Sequence, residues 1–205
     1  VPEVGDLWAP DISYVNGKYR LYYSASTFGS NKSAIALATN VTLDATRKDY
    51  KWVDEGVVFE SRPNNSYNAI DPNYVAAADG AAWLAFGSYW TGIKLLQLDP
   101  VSGKALPDAR LHALATRSTA PGAIEAAFIT QKDGYYYLFV SFDACCQGVK
   151  STYNIRVGRS KTITGPYLDR AGVSMLDGDG TLVLQGNDVF HGPGHNAVLV
   201  EDGKH

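Results

Sequence analysis

The sequence predicts an all-β protein built from repeated four-stranded units, the architecture of a β-propeller. Three observations lead there. Of 205 residues, 12% are aromatic, 19% are charged and 20 are glycine, a composition that suits strands joined by many turns. Asn16-Gly17, Asp79-Gly80 and Asp133-Gly134 each sit between apolar-rich runs, which is a strong hairpin signal. The strand-turn-strand pattern also restarts, and each restart is headed by a polar residue. These are Asp11, Asp71, Glu125 and Asn196, spaced by 60, 54 and 71 residues. Four short strands in a unit of that length describe a propeller blade whose first strand lies innermost, at the central channel. A β-sandwich also has many short strands, but it does not explain the recurring polar residue.

The first unit, 7–61, opens with Asp11 to Ser24 as strand, Asn-Gly turn and strand. Ala34–Ala38 is its third strand and Trp52–Phe59 its fourth. The second unit, 68–116, runs from Asp71 through Asp79-Gly80 into Ala82–Gly87, then Gly92–Leu98, and closes with Ala109–Leu114. The third, 122–187, runs from Glu125 through Asp133-Gly134 into Tyr135–Val140, then Tyr153–Val157 and Thr181–Leu184. An incomplete fourth unit, 192–205, begins with a strand at Asn196–Val200 and reaches Asp202-Gly203. Propellers close with about 4 to 8 blades. Three blades and the start of another therefore predict a fragment, with blade material missing at the C-terminus and at the N-terminus.

Net charge is −3 and there is no Lys/Arg stripe, which argues against a nucleic-acid partner. No apolar run reaches roughly 18 residues, so no membrane span is expected. The two cysteines are adjacent, Cys145-Cys146. They read either as two buried small side chains or as a vicinal disulfide. Sequons at Asn31, Asn40 and Asn64 favour a secreted, extracellular protein. The expected state is a monomer.

The chemistry centres on Pro121-Gly-Ala-Ile-Glu-Ala-Ala-Phe128, where Glu125 is the only charge. Apolar surroundings raise a carboxyl pKa, which is what a general acid needs near neutral pH. Asp71 opens the corresponding strand of the preceding unit. Two carboxyl groups in different environments are the basic equipment for cleaving a glycosidic bond. Sugar rings pack on aromatic faces, and Trp8, Phe28 and Trp90 fall at or just after segments near the channel mouth. Arg156 alternates with apolar neighbours in a strand, where it either bridges to an acidic channel residue or faces solvent. His191 and His195 have a spacing seen in zinc sites, but Gly192-Pro193-Gly194 between them forbids the helix that such a spacing uses.

Seven segments resemble the endo-1,5-α-L-arabinanases of glycoside hydrolase family 43. They are Leu7–Ile12, Asn68–Pro72, Phe86–Trp90, Gly122–Ala126, Cys145–Gly148, Ser151–Ser160 and Gly192–Asn196. They follow the family's order and cover nearly the whole chain. The resemblance implies a five-bladed propeller that hydrolyses arabinan and arabino-oligosaccharides with inversion. Glu125 then matches the general acid, and Asp71 the acidic residue that keeps its pKa raised and orients it. The family's general base lies upstream of the segment containing Asp11, so Asp11 falls to the substrate-binding group and no residue of this chain is assigned as base. The fragment alone is then expected to be inactive. Asn68 and Ser88 resemble substrate-contacting positions. His195 matches a channel histidine beside a metal, a calcium ion held largely through water. Two rivals remain: a propeller that binds carbohydrate without cleaving it, and an exo-acting arabinofuranosidase or xylosidase of the same family.

Overall fold

A computed structural model describes residues 4–204, and the architecture is all-β. Twelve strands form three four-stranded sheets, each ordered as in the chain. The first contains β1 (Asp6–Val15), β2 (Lys18–Ser26), β3 (Ser33–Asn40) and β4 (Val53–Ser61). The second contains β5 (Asn73–Ala76), β6 (Ala82–Phe86), β7 (Ile93–Leu98) and β8 (His112–Ala115). The third contains β9 (Ile124–Lys132), β10 (Tyr135–Phe142), β11 (Asn154–Ser160) and β12 (Thr181–Gln185). One 3-10 turn, Gly148–Lys150, interrupts the strands. No helix among the described residues is long and apolar enough to cross a membrane.

The Asn-Gly and Asp-Gly turns fall where the sequence puts them. Asn16 and Gly17 both have positive φ, as do Asp79's partner Gly80 and the pair Asp133-Gly134, the backbone that tight hairpin turns require. The fourth strand of the second sheet is shorter than expected, beginning at His112 rather than at Ala109. The expected strand at Asn196–Val200 is not formed. Among the described residues that segment has no strand neighbour, and only Glu201 and Lys204 pair, around the Asp202-Gly203 turn. A strand exists through its ladder hydrogen bonds, so alternation alone does not make one.

The chain divides into two compact units. One is the chain up to Gly87 together with Leu95–Leu111, and the other is Ser88–Lys94 together with His112 onward. The first is built on a core of Tyr22, Ile35, Leu37, Leu84, Phe86, Leu96 and Leu98, all fully buried, with Phe59, Tyr67 and Tyr74 packed against them. Tyr22 stacks on Tyr74 with ring centroids 5.9 Å apart and donates its hydroxyl to the Gly103 carbonyl at 3.0 Å. Arg20 donates to the carbonyls of Pro100 at 3.0 Å and Val101 at 2.6 Å. Gly103 must be glycine: its φ is +72° and an added Cβ would lie 2.7 Å from the Tyr22 hydroxyl. The second unit buries Ile124, Ala126, Ile129, Leu138, Val140, Phe142, Tyr167 and Met175.

Two of the three sequons are structural. Asn31 is buried, and its amide donates to the carbonyls of Arg62, Asn65 and Tyr67. Asn40 is also buried and accepts from the backbone of Thr42 and Lys51. Only Asn64 is exposed.

Two first strands carry an extra residue next to their carboxylate. In β1 the register shifts between Trp8, opposite Ser24, and Asp11, opposite Tyr22, and Ala9 has φ 48°. In β9 it shifts between Phe128, opposite Phe139, and Glu125, opposite Ser141, and Ala126 has φ 56°. Such bulges re-aim the neighbouring side chain. The four polar residues therefore do not all open a strand. Asp11 lies inside β1, Glu125 is the second residue of β9, and Asn196 lies outside any strand. Asp71 precedes β5 by two residues, because Pro72 has no N–H to give to a ladder.

Candidate active site

Glu125 is half-buried and held at both oxygens. Ser88 Oγ donates to Oε2 at 2.7 Å, and the Tyr153 hydroxyl donates to Oε1 at 2.7 Å. Ser88 itself is buried. It sits at the start of a sharp turn in which Tyr89 (φ 50°) and Trp90 (φ 43°) are both left-handed, a conformation that non-glycine residues adopt at a cost of about 1–3 kcal/mol each. The turn is fastened to β9 by Tyr89 N–H donating to the Ile124 carbonyl at 2.8 Å. Burial pushes the Tyr89 phenol up, and the charges of Glu125 and Asp143 add to that.

Tyr153 owes its position to Gly194. An added Cβ at Gly194 would overlap the Tyr153 ring, 2.7 Å from its Cγ. At Gly192, with φ +61°, a Cβ would stand 2.5 Å from that of Ser151. The Gly192-Pro193-Gly194 segment thus lies flat against residues 151–153 because neither glycine carries a side chain. His195 follows with φ 48°. Its N–H donates to Ser141 Oγ at 2.8 Å, and Ser141 is the cross-strand neighbour of Glu125. Desolvation pushes the His195 pKa down, opposed by the Glu125 charge.

Beyond Ser141 a second polar chain extends. Arg117 pairs with Asp143 at 2.9 Å, Asn154 Nδ2 donates to the other Asp143 oxygen at 2.7 Å, and Arg156 Nε donates to Asn154 Oδ1 at 2.8 Å. The guanidinium carbons of Arg117 and Arg156 lie 4.4 and 5.6 Å from the Phe142 ring centre. Among the described residues Arg156 forms no ion pair of its own; it is tied to a side-chain amide and an aromatic face instead. Cys145 and Cys146 form a vicinal disulfide on the loop after β10, with Cys145 half-buried and Cys146 exposed. The reading of two buried thiols is therefore wrong, because an exposed turn gives the side chains nothing to be buried in.

In the other unit, Asp71 is buried with φ 55°, and its N–H donates to Ser24 Oγ at 2.9 Å. Asp11 accepts from Tyr74 N–H at 2.9 Å and from Asn73 Nδ2 at 3.2 Å. Burial raises the Asp11 pKa to about 6 from 3.8, against the lowering effect of those two bonds. Asn68 is buried and accepts from Ser33 Oγ at 2.7 Å. Trp8 is half-buried opposite Ser24, whereas Phe28 and Trp90 expose 85% and 45% of their area, as ring platforms do. The structure thus joins Glu125 with Ser88 and brings the His195 backbone beside them. Tyr153, Tyr89, Ser141, Arg117 and Asp143 were not anticipated. For Tyr153 the sequence did hold one signal, the Gly-x-Gly that needs a flat neighbour, but not which neighbour.

No group of three or more His, Cys, Asp or Glu that could hold a metal gathers among the described residues. That donor set does not build the oxygen cage that calcium prefers. It fits only a hydrated ion beside His195, whose lowered pKa keeps a neutral imidazole available.

A carboxylate held by two hydroxyls, on an all-β frame with exposed aromatic rings, is equipment of a carbohydrate-active protein. The family model described as Glycosyl hydrolases family 43 matches residues 2–205, and the chain belongs to that family. It is 54% identical over 200 residues to the extracellular endo-α-(1→5)-L-arabinanase 1 of Bacillus subtilis, covering 97% of this chain and 60% of that protein. It is 45% identical over 210 residues to an extracellular exo-α-(1→5)-L-arabinofuranosidase of Cellvibrio japonicus, covering 98% and 60%. Among solved structures, a Cellvibrio cellulosa α-L-arabinanase complexed with arabinohexaose superposes with TM-score 0.91 at 43% identity, covering 96% of this chain and 66% of that one. A Bacillus licheniformis endo-arabinanase of the family superposes with TM-score 0.88 at 53% identity, covering 94% and 64%. The chain spans about 60% of the length of these curated relatives.

Two outcomes follow from this geometry. Gly194→Ala drives a methyl into the Tyr153 ring and lowers stability by about 1–3 kcal/mol. Combining it with Tyr153→Ala recovers about 1 kcal/mol or more in a double-mutant cycle of denaturant melts; additive losses would show that the two do not touch. Asp11 gives the pH test. Its folded pKa lies above its unfolded value, so the stability it contributes is present below about pH 3.8 and lost as pH rises through about 6. Relative to Asp11→Asn, the wild type should therefore lose up to about 3 kcal/mol between pH 4 and 6.5 and then level off. A flat difference in thermal melts across that range would contradict the buried carboxyl.

Proposed function

We propose that the protein containing this chain is a secreted endo-acting arabinan hydrolase, cutting internal α-1,5-L-arabinofuranosyl linkages with inversion on a five-bladed propeller. The observation that carries this reading is Glu125: it stands in the family's Gly-Ala-Ile-Glu-Ala segment, and both its oxygens are fixed by hydroxyl donors. In its protonated form it delivers a proton to the departing sugar oxygen as the C1–O5 bond breaks. Water adds to the opposite face of C1, and a base outside the residues assigned here takes its proton. The family resemblance gives Asp71 the role of orienting the acid, Glu125. The exposed rings of Phe28 and Trp90 carry sugar faces.

Extracellular names among the relatives support secretion, and the disulfide is the form an oxidising compartment maintains. One relative named for exo action favours a second reading, release of sugars from chain ends. Product length decides between them: an endo-enzyme gives a ladder of short oligosaccharides from debranched arabinan, an exo-enzyme a single small product.

Glu125→Gln should lower kcat on debranched arabinan by about a hundredfold to ten-thousandfold, followed by reducing-sugar release. Full activity in that variant sinks the assignment. His195 would hold a calcium ion through its water shell, adding positive charge there. Chelation should then lower both the melting temperature and the rate, and calcium should restore them; indifference to chelator removes the metal from the scheme.

A further inference from the structure

The three residues that the function singles out, Asp71, Glu125 and His195, are each held by a buried serine, and the three serines occupy one repeated position. Ser24, Ser88 and Ser141 lie seven residues after Gly17, eight after Gly80 and seven after Gly134, so each falls within two residues of the end of the second strand of its sheet: Ser24 and Ser141 inside β2 and β10, and Ser88 just past β6. All three are 3% exposed or less. Ser24 Oγ accepts the N–H of Asp71 at 2.9 Å. Ser88 Oγ donates to Glu125 Oε2 at 2.7 Å. Ser141 Oγ accepts the N–H of His195 at 2.8 Å.

We propose that Ser24, Ser88 and Ser141 are a repeated set of positioning residues, each of which fixes the functional residue at the head of the next unit. The claim rests on the hydrolase reading for what is being positioned, but not for the latches themselves. The two backbone latches hold residues in an unfavourable conformation: Asp71 has φ 55° and His195 φ 48°, where side chains other than glycine are seldom found. A buried hydroxyl that accepts the N–H of such a residue keeps the backbone there without an intervening water. It can do so from a strand, which is more rigid than a loop. The middle serine differs because the residue it faces is turned by the bulge at Ala126. The bulge re-aims the Glu125 side chain, so the hydroxyl meets a carboxylate oxygen instead of an amide and acts as donor. One position in the repeat thus serves two main-chain amides and one side chain.

This assigns Ser88 differently from a substrate contact. Its hydroxyl is committed to Glu125, and its area is covered. A substrate contact would show in KM, whereas an orienting contact shows in kcat.

Three single variants, Ser24→Ala, Ser88→Ala and Ser141→Ala, test the set without removing any larger group. Amide hydrogen exchange read residue by residue by NMR needs no substrate. Ser24→Ala should speed exchange of the Asp71 amide about tenfold or more and leave His195 unchanged, and Ser141→Ala should do the reverse. Ser88→Ala should shift the Glu125 carboxyl carbon resonance. In the full-length protein acting on debranched arabinan it should lower kcat about tenfold to a hundredfold with KM held within about twofold. An unchanged rate at the partnered amide overturns the latch, and so does an equal rise at every core amide, which signals general loosening. A rise in KM with kcat intact returns Ser88 to substrate binding. A full-length wild type silent toward arabinan refutes the hydrolase reading alone, because the exchange and carbon measurements still decide the latches.

Discussion

Glu125 is held by two hydroxyls that come from distant parts of the chain, and much of one compact unit is arranged around that contact. Ser88 comes from a turn with two consecutive left-handed non-glycine residues, and Tyr153 is the residue just before β11, side-on to Gly194. The magnitudes are comparable. Two left-handed residues cost about 1–3 kcal/mol each, and hydrogen bonds to a charged group return about 1.5–3 kcal/mol each. The strained turn persists because the carboxylate and the Ile124 carbonyl both hold it. Residues 88–92, 122–126, 151–153 and 192–195 therefore form one device, although they are scattered through the sequence.

The hairpin turns were legible because Asn-Gly and Asp-Gly demand a backbone that few other dipeptides take up, and the repeat followed from them. The bulges were not legible. Ala9 and Ala126 are the left-handed residues that accompany them, and alanine gives no sign of that; the register is decided by pairing with β2 and β10. Glu125 could be found as a lone charge among apolar residues. Its partners could not, because Ser88 and Tyr153 look like ordinary strand-end residues until the fold brings them to it. The expected strand at Asn196–Val200 failed for the related reason that alternation proposes a strand and only a neighbour makes one.

The same limit explains the divergence of Asp11 from Glu125. Both lie in a first strand of the repeat, and both stand beside an inserted residue. Asp11 faces the N–H of Tyr74 and the amide of Asn73, donors that belong to the segment just after Asp71. Glu125 faces two hydroxyls, which can donate to a carboxylate and accept from a carboxylic acid. A main-chain N–H can only donate. Asp11 is thus matched to structural use as a carboxylate, whatever its pKa of about 6, whereas the hydroxyl partners of Glu125 tolerate either protonation state. A group that must hand over a proton and receive it back needs neighbours of the second kind. The repeat supplies equivalent positions, and the donors around each one separate a structural carboxylate from one equipped to transfer a proton.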